Sequence, residues 1–264
     1  MTRRDKFRGT SWDAFLAAVP LAVLLTCSIP VHASNLVLNG GFELTTAGKG
    51  QLGYNTSIID WTNATNAYNF VFTPGSADTT GAMTQYGVPL KLWGPGDGSA
   101  NGLPATSPDG GNFVAADGAY HTGPISQTIT GLTIGDIYAV SFWWAGAQQL
   151  NYTSANTEQW KVTLGGTTQS TAILDNASKG FTGWQFVTFD YTATSTTEML
   201  SFLAAGTPSG VPPFSLLDGV SVTNTSTPPP TVPEPGDLLL LGAGMSGLAL
   251  VGLKNRFKRN SRAL

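Results

Sequence analysis

Ile137-Tyr138-Ala139-Val140-Ser141-Phe142-Trp143-Trp144 alternates bulky apolar residues with a second set at a period of two. Successive side chains on a strand point to opposite faces, so Tyr138, Val140, Phe142 and Trp144 share one face while Ala139, Ser141 and Trp143 share the other. The turn residues Thr133-Ile134-Gly135-Asp136 lead into it. The stretch predicts a strand with one face in a core and the other open to water.

Working outward, the same period returns in Trp160, Val162 and Leu164, in Val187, Phe189 and Tyr191, in Leu200, Phe202 and Ala204, and in Val220 and Val222. Upstream, Asn35-Leu36-Val37-Leu38-Asn39 runs into Gly40-Gly41-Phe42-Glu43, and Phe113-Val114-Ala115-Ala116-Asp117 and Ile125-Ser126-Gln127-Thr128-Ile129 read as further strands. No helical period of 3.6 runs through residues 34–223, and short strands separated by turn chemistry predict an all-β sandwich or barrel. Residues 74–111 break the pattern with Pro74, Pro89, Pro95, Pro104, Pro108 and many glycines. Such a long irregular excursion is expected to be functional or disordered.

The chain has 264 residues, 41% of them apolar and 11% charged, with 32 Gly and 16 Pro. That composition suits a sizeable core built from strands and turns. Arg3, Arg4, Lys6 and Arg8 precede an apolar run over 14–29 and the small-residue site Val31-His32-Ala33, the layout of a secretory signal peptide over residues 1–33. Cys27, the only cysteine, lies within it, so the mature chain is expected to have no disulfide and no thiolate site. Between residues 34 and 233 only Lys49, Lys91, Lys161 and Lys179 oppose 12 acidic residues, a balance of −8. An acidic exported domain disfavours nucleic acid as a partner and leaves cations and neutral glycans open.

Residues 224–232 are a Pro/Thr/Ser-rich linker. Then come Val232-Pro233-Glu234-Pro235, an apolar run over 238–253, and Lys254, Arg256, Lys258, Arg259 and Arg262. A transmembrane helix over about 237–253 is expected, with the cations holding the C-terminus in the cytoplasm. A span this short, about 24 Å against a hydrocarbon core of about 30 Å, suits a transient stop. Gly242-Ala243-Gly244-Met245-Ser246-Gly247 matches G-x-G-x-x-G but lacks the acidic residue that a dinucleotide site needs downstream. The tail resembles the PEP-CTERM sorting signal of Gram-negative envelope proteins. The resemblance implies export to the cell envelope or the extracellular space, transient membrane anchoring, and an exosortase as partner.

Asn39-Gly40-Gly41-Phe42-Glu43, Asp60-Trp61, residues 113–117, residues 138–143 and Leu217-Asp218-Gly219-Val220-Ser221-Val222 follow one another as in galactose-binding-like domains. The resemblance to carbohydrate-binding modules implies a jelly-roll β-sandwich over residues 34–223. It further implies a structural calcium held by Glu43 and Asp218 with help from Asn39; such residues also serve as turn caps. A hard cation wants six to eight oxygens, and joining the first and last strands would tie the domain closed.

Trp143, pointing away from the aromatic face, and Trp93, inside the excursion, are the candidate platforms for sugar rings, whereas Trp160 and Trp184 read as core. His121, the lone histidine of the mature chain, sits in a Gly-rich turn without a Gly-x-Ser-x-Gly elbow, and no catalytic constellation is expected. The reading is therefore a non-enzymatic exported protein that binds or organises polysaccharide. A glycan-active hydrolase and a structural matrix protein without a ligand are the alternatives.

Overall fold

A computed structural model of the chain describes residues 34–226. The expected signal peptide (1–33), the transmembrane span, and Val232, Pro233, Glu234 and Pro235 lie outside the described residues. In chain order the first strands are β1 (Gly50–Gln51), β2 (Thr62–Asn63), β3 (Asn69–Phe72), β4 (Ala82–Met83), β5 (Pro89–Leu90), β6 (Phe113–Asp117) and β7 (Ile125–Thr130). There follow β8 (Ile137–Gln148), β9 (Asn156–Leu164), β10 (Thr167–Ser170), β11 (Leu174–Asn176), β12 (Gln185–Thr192), β13 (Thr197–Thr207) and β14 (Pro213–Asn224). Among the described residues the only helical element is a 3-10 turn at Pro95–Asp97, so no described helix is long and apolar enough to cross a membrane.

One antiparallel sheet has the order β1-β3-β6-β14-β8-β12 and the other the order β10-β9-β13-β7-β2, with β11 also on β9. From β6 to β9, and again from β12 to β14, successive strands alternate between the two sheets, which is jelly-roll connectivity. The expected all-β sandwich is thus observed.

The alternation over β8 is as read: Tyr138, Val140, Phe142 and Trp144 enter the core between the sheets. They meet Trp160 and Val162 of β9 and Phe202 of β13, and edge-on ring contacts join Phe202 to Phe142 at 5.1 Å and to Trp160 at 5.9 Å. Each fully buried side chain of this size contributes about 1.5–3 kcal/mol.

The excursion is ordered. Ala77, Ala82, Leu90, Leu92 and Leu103 fold back over one end of the outer sheet face and form a second hydrophobic cluster with Phe70, Phe72, Phe113, Ala115, Phe214 and Leu216. Backbone bonds from Leu92 to Ala77 and from Trp93 to Gln148, both 2.9 Å, fix it in place. Hence all five residues of β6 are buried, Phe113 and Ala115 under the excursion and Val114 and Ala116 in the main core.

The two ends of the described chain run side by side. Leu36 donates to Val222 at 2.9 Å, and the Asn35 side chain accepts from the Val222 N–H at 2.9 Å. A Cβ on Gly40 would stand 2.0 Å from the Val220 carbonyl oxygen, so only glycine permits that approach. Asn224, read from sequence as the start of the linker, is the last residue of β14, and Thr225 still donates to Ile137 at 2.9 Å.

Candidate functional site

The outer face of β14 carries Phe214 and Leu216 under the excursion and then Asp218, which is cross-strand from Trp143 on β8. The register shifts between Asp218 and Ser221, where Gly219 adopts a φ of +60°. This bulge explains why glycine follows the aspartate: a side chain there would be strained and would press on Asp109.

Asp218 is fully buried. Ser107 Oγ donates to its Oδ2, while Oδ1 is buried without a partner. Burial pushes its carboxyl up to about 8; hydrogen bonds from Ser107 and the Gly219 N–H pull the other way, and the negative charges of Asp109 and Glu43 add to the rise.

These three acids surround Gly41. A Cβ at that glycine would lie 3.3 Å from Asp109 Oδ2, 3.9 Å from Asp218 Oδ1 and 3.9 Å from Glu43 Cγ. Glu43 Oε1 accepts the Asn112 N–H at 2.7 Å. Among the described residues no three acidic, histidine or cysteine side chains form a closed metal-ligating group, so the acids converge without meeting at one point. Asp109 and Glu43 are exposed, whereas Asp218 is buried. Asn39 is otherwise engaged: its amide donates to the carbonyls of Leu44 and Ile59 at 3.0 and 2.8 Å and accepts the Leu44 N–H at 3.0 Å. It holds the turn that carries Glu43.

Beyond the excursion the same face opens. Trp143 is half-buried and packs against Phe186, its cross-strand partner on β12, with ring centroids 5.2 Å apart. Phe186 is 55% exposed. The Ser141 and Ser221 hydroxyls bond each other at 3.0 Å beside this pair, and Thr188, cross-strand from Ser141, is exposed. The result is an aromatic strip flanked by hydroxyls. Trp93 lies elsewhere: its indole N–H donates to the Tyr152 carbonyl at 2.7 Å, and the Lys179 ammonium stands 4.7 Å from its ring centroid. Trp160 is fully buried and Trp184 is half-buried against Phe113 and Phe181.

Sequence reading missed two members of this region. Phe186 was visible in principle, because Val187, Phe189 and Tyr191 facing inward require Phe186 to face outward. Asp109 was not, since nothing in Pro108-Asp109-Gly110-Gly111 distinguishes it from an ordinary acidic turn. A separate buried carboxylate, Glu158, lies near the start of β9. Its Oε1 accepts from Asn176 at 3.3 Å, its Oε2 is unpaired, and burial raises it to about 8.

No protein-family model matches the chain. Halomucin of Haloquadratum walsbyi is 28% identical over 226 residues, which is 83% of this chain but only 2% of that protein's length. Among solved structures, a galactotriose complex of TmCBM61 is similar over 73% of this chain and 99% of its own, with 15% identity and a TM-score of 0.41. The CBM22-1 xylan-binding domain of Paenibacillus barcinonensis Xyn10C is similar over 74% and 97%, with 11% identity and a TM-score of 0.35.

Proposed function

We propose that this chain is an exported β-sandwich protein that binds polysaccharide without turning it over. The observation that carries the reading is the Trp143–Phe186 pair, an ordered aromatic surface left open on a sheet face whose other end is covered by the excursion. Sugar rings present C–H faces that suit aromatic rings, and the hydroxyls of Ser141, Thr188 and Ser221 are placed to exchange hydrogen bonds with ring substituents. A strip running across neighbouring strands suits a chain polymer better than an isolated small molecule.

Glu43, Asp109 and Asp218 would hold a structural calcium, and the orphaned Asp218 Oδ1 and the space at Gly41 support that assignment. When bound, the ion would neutralise three converging carboxylates. Val232, Pro233, Glu234 and Pro235 are proposed as the exosortase recognition motif, with delivery to the envelope or extracellular matrix and a transient membrane stop.

Retention on the neutral polysaccharide of the producing organism tests the reading. Trp143→Ala with Phe186→Ala should weaken binding by roughly tenfold or more, the loss of about 1.4 kcal/mol or more of stacking. Unchanged retention, with an unchanged melt, would remove the strip as the site. Mass spectrometry of the mature protein, with and without the exosortase, tests the tail: no dependence of the C-terminal mass on that enzyme would sink the sorting proposal.

A further inference from the structure

Four tyrosines from four different connections meet at the Gln148 end of β8. Tyr68 precedes β3, Tyr86 lies between β4 and β5, Tyr120 follows β6 and Tyr152 follows β8. Tyr68 and Tyr120 rings contact edge to face at 5.3 Å, and the Tyr86 hydroxyl lies close enough to that of Tyr120 to hold its proton more tightly. Tyr152 lies within electrostatic reach of Tyr68.

Tyr68 is only 8% exposed, whereas Tyr86, Tyr120 and Tyr152 are 62%, 46% and 37% exposed. One ring is thus a foundation and three are a surface. Asp117 holds it from beneath: its Oδ1 accepts the N–H groups of Ala119 and Tyr120 at 2.8 and 3.0 Å, and its buried Oδ2 has no partner. Trp93 secures the far side through its bond to the Tyr152 carbonyl. The rings are therefore positioned in advance, which removes much of the ordering cost that binding otherwise carries.

Phenol rings offer apolar faces and hydroxyl edges together. Asp117 below and the acidic balance of the domain repel polyanions. That combination suits a neutral saccharide.

This surface is separate from the aromatic strip. Trp143 and Gln148 are five residue steps apart along β8, about 17 Å at roughly 3.4 Å per step. Between them Ala145 and Ala147 are covered by the excursion's Leu92 and Leu103. A saccharide lying on one surface cannot continue along the sheet onto the other.

We propose that the Tyr86–Tyr120–Tyr152 surface is a second binding site for neutral glycan, which makes the domain bivalent and able to cross-link polysaccharide chains. The proposal rests on the polysaccharide-binding reading of the Trp143 strip. Tyr68 and Asp117 are positioning residues that hold the contacting rings.

The test titrates the purified full-length protein with neutral hexasaccharides cut from the producing organism's own extracellular polysaccharide, and follows turbidity with the uncut polymer. The wild type should take up two equivalents and cloud the polymer. Tyr86→Ala with Tyr120→Ala should leave one equivalent, abolish clouding and weaken, without abolishing, retention on immobilised polymer. Tyr86→Ala alone, at an exposed hairpin tip, should weaken one of the two equivalents roughly tenfold and serves if the double variant does not fold. Two unchanged equivalents in these variants would overturn the second site while leaving the strip standing. Loss of one equivalent here with none lost in Trp143→Ala/Phe186→Ala would overturn the strip instead, and no uptake by the wild type would overturn both.

Discussion

The two faces of the sheet formed by β3, β6, β14 and β8 are both buried at one end, yet they are buried by different means. On the inner face strand meets strand, and the bulk comes from both sides: Phe142 and Trp144 from one sheet, Trp160 and Phe202 from the other. On the outer face the strands supply nearly all the bulk, through Phe70, Phe72, Phe113 and Phe214, while the excursion contributes Ala77, Ala82 and a few leucines. A segment rich in glycine and proline has few large side chains to offer, so the rings must project from the sheet toward it. Dense packing then needs only that the volumes of the two partners complement each other, not that both be regular.

The comparison can be broken most severely from inside. Phe202→Ala should cost about 3–5 kcal/mol, because the ring is fully buried and touches Trp61, Phe142 and Trp160. Urea denaturation checks it. Leu92→Ala, fully buried in the outer cluster, should cost about 2–4 kcal/mol in the same transition. A much smaller loss would mean that the excursion is a cover rather than part of the cooperative fold.

The gentlest probe is pH. Burial raises Glu158 to about 8 from 4.5 and Asp117 to about 6 from 3.8. Between those values the folded protein holds protons that the unfolded chain has released. Their contribution is therefore full below about pH 4 and is lost as pH rises toward 8. In chelator the melting temperature should be higher at pH 5 than at pH 8, by on the order of 5 °C, and Glu158→Gln should flatten the slope. Calcium added at pH 8 should recover stability in the wild type and not in Asp218→Asn. A higher melt at pH 8 in chelator would contradict the assignment of the buried acids.

The inner face was legible in the sequence because burial on one side of a strand leaves a period of two, as Tyr138 to Trp144 shows. The outer cluster was not. Leu90, Leu92 and Leu103 lie among prolines and glycines without a period, and their burial depends on Ala145 and Ala147 being small enough to receive them, a relation between distant segments. The acidic cradle was half legible: Asp218 and Glu43 flank the closing and opening turns, but Asp109 reaches them from the excursion through the fold alone. The tyrosines were invisible for the same reason, since each comes from a different connection.

β14 lies between β6 and β8 and is paired on both sides, with Leu36 bonded near its end. Tension entering at Asn224 pulls along the axis of that strand. Its hydrogen bonds are loaded together in shear rather than opened one after another, and the strand's neighbours share the force. A domain holding polymer on its sheet face and pulled from this end would resist as a lap joint does, by the length of the overlap.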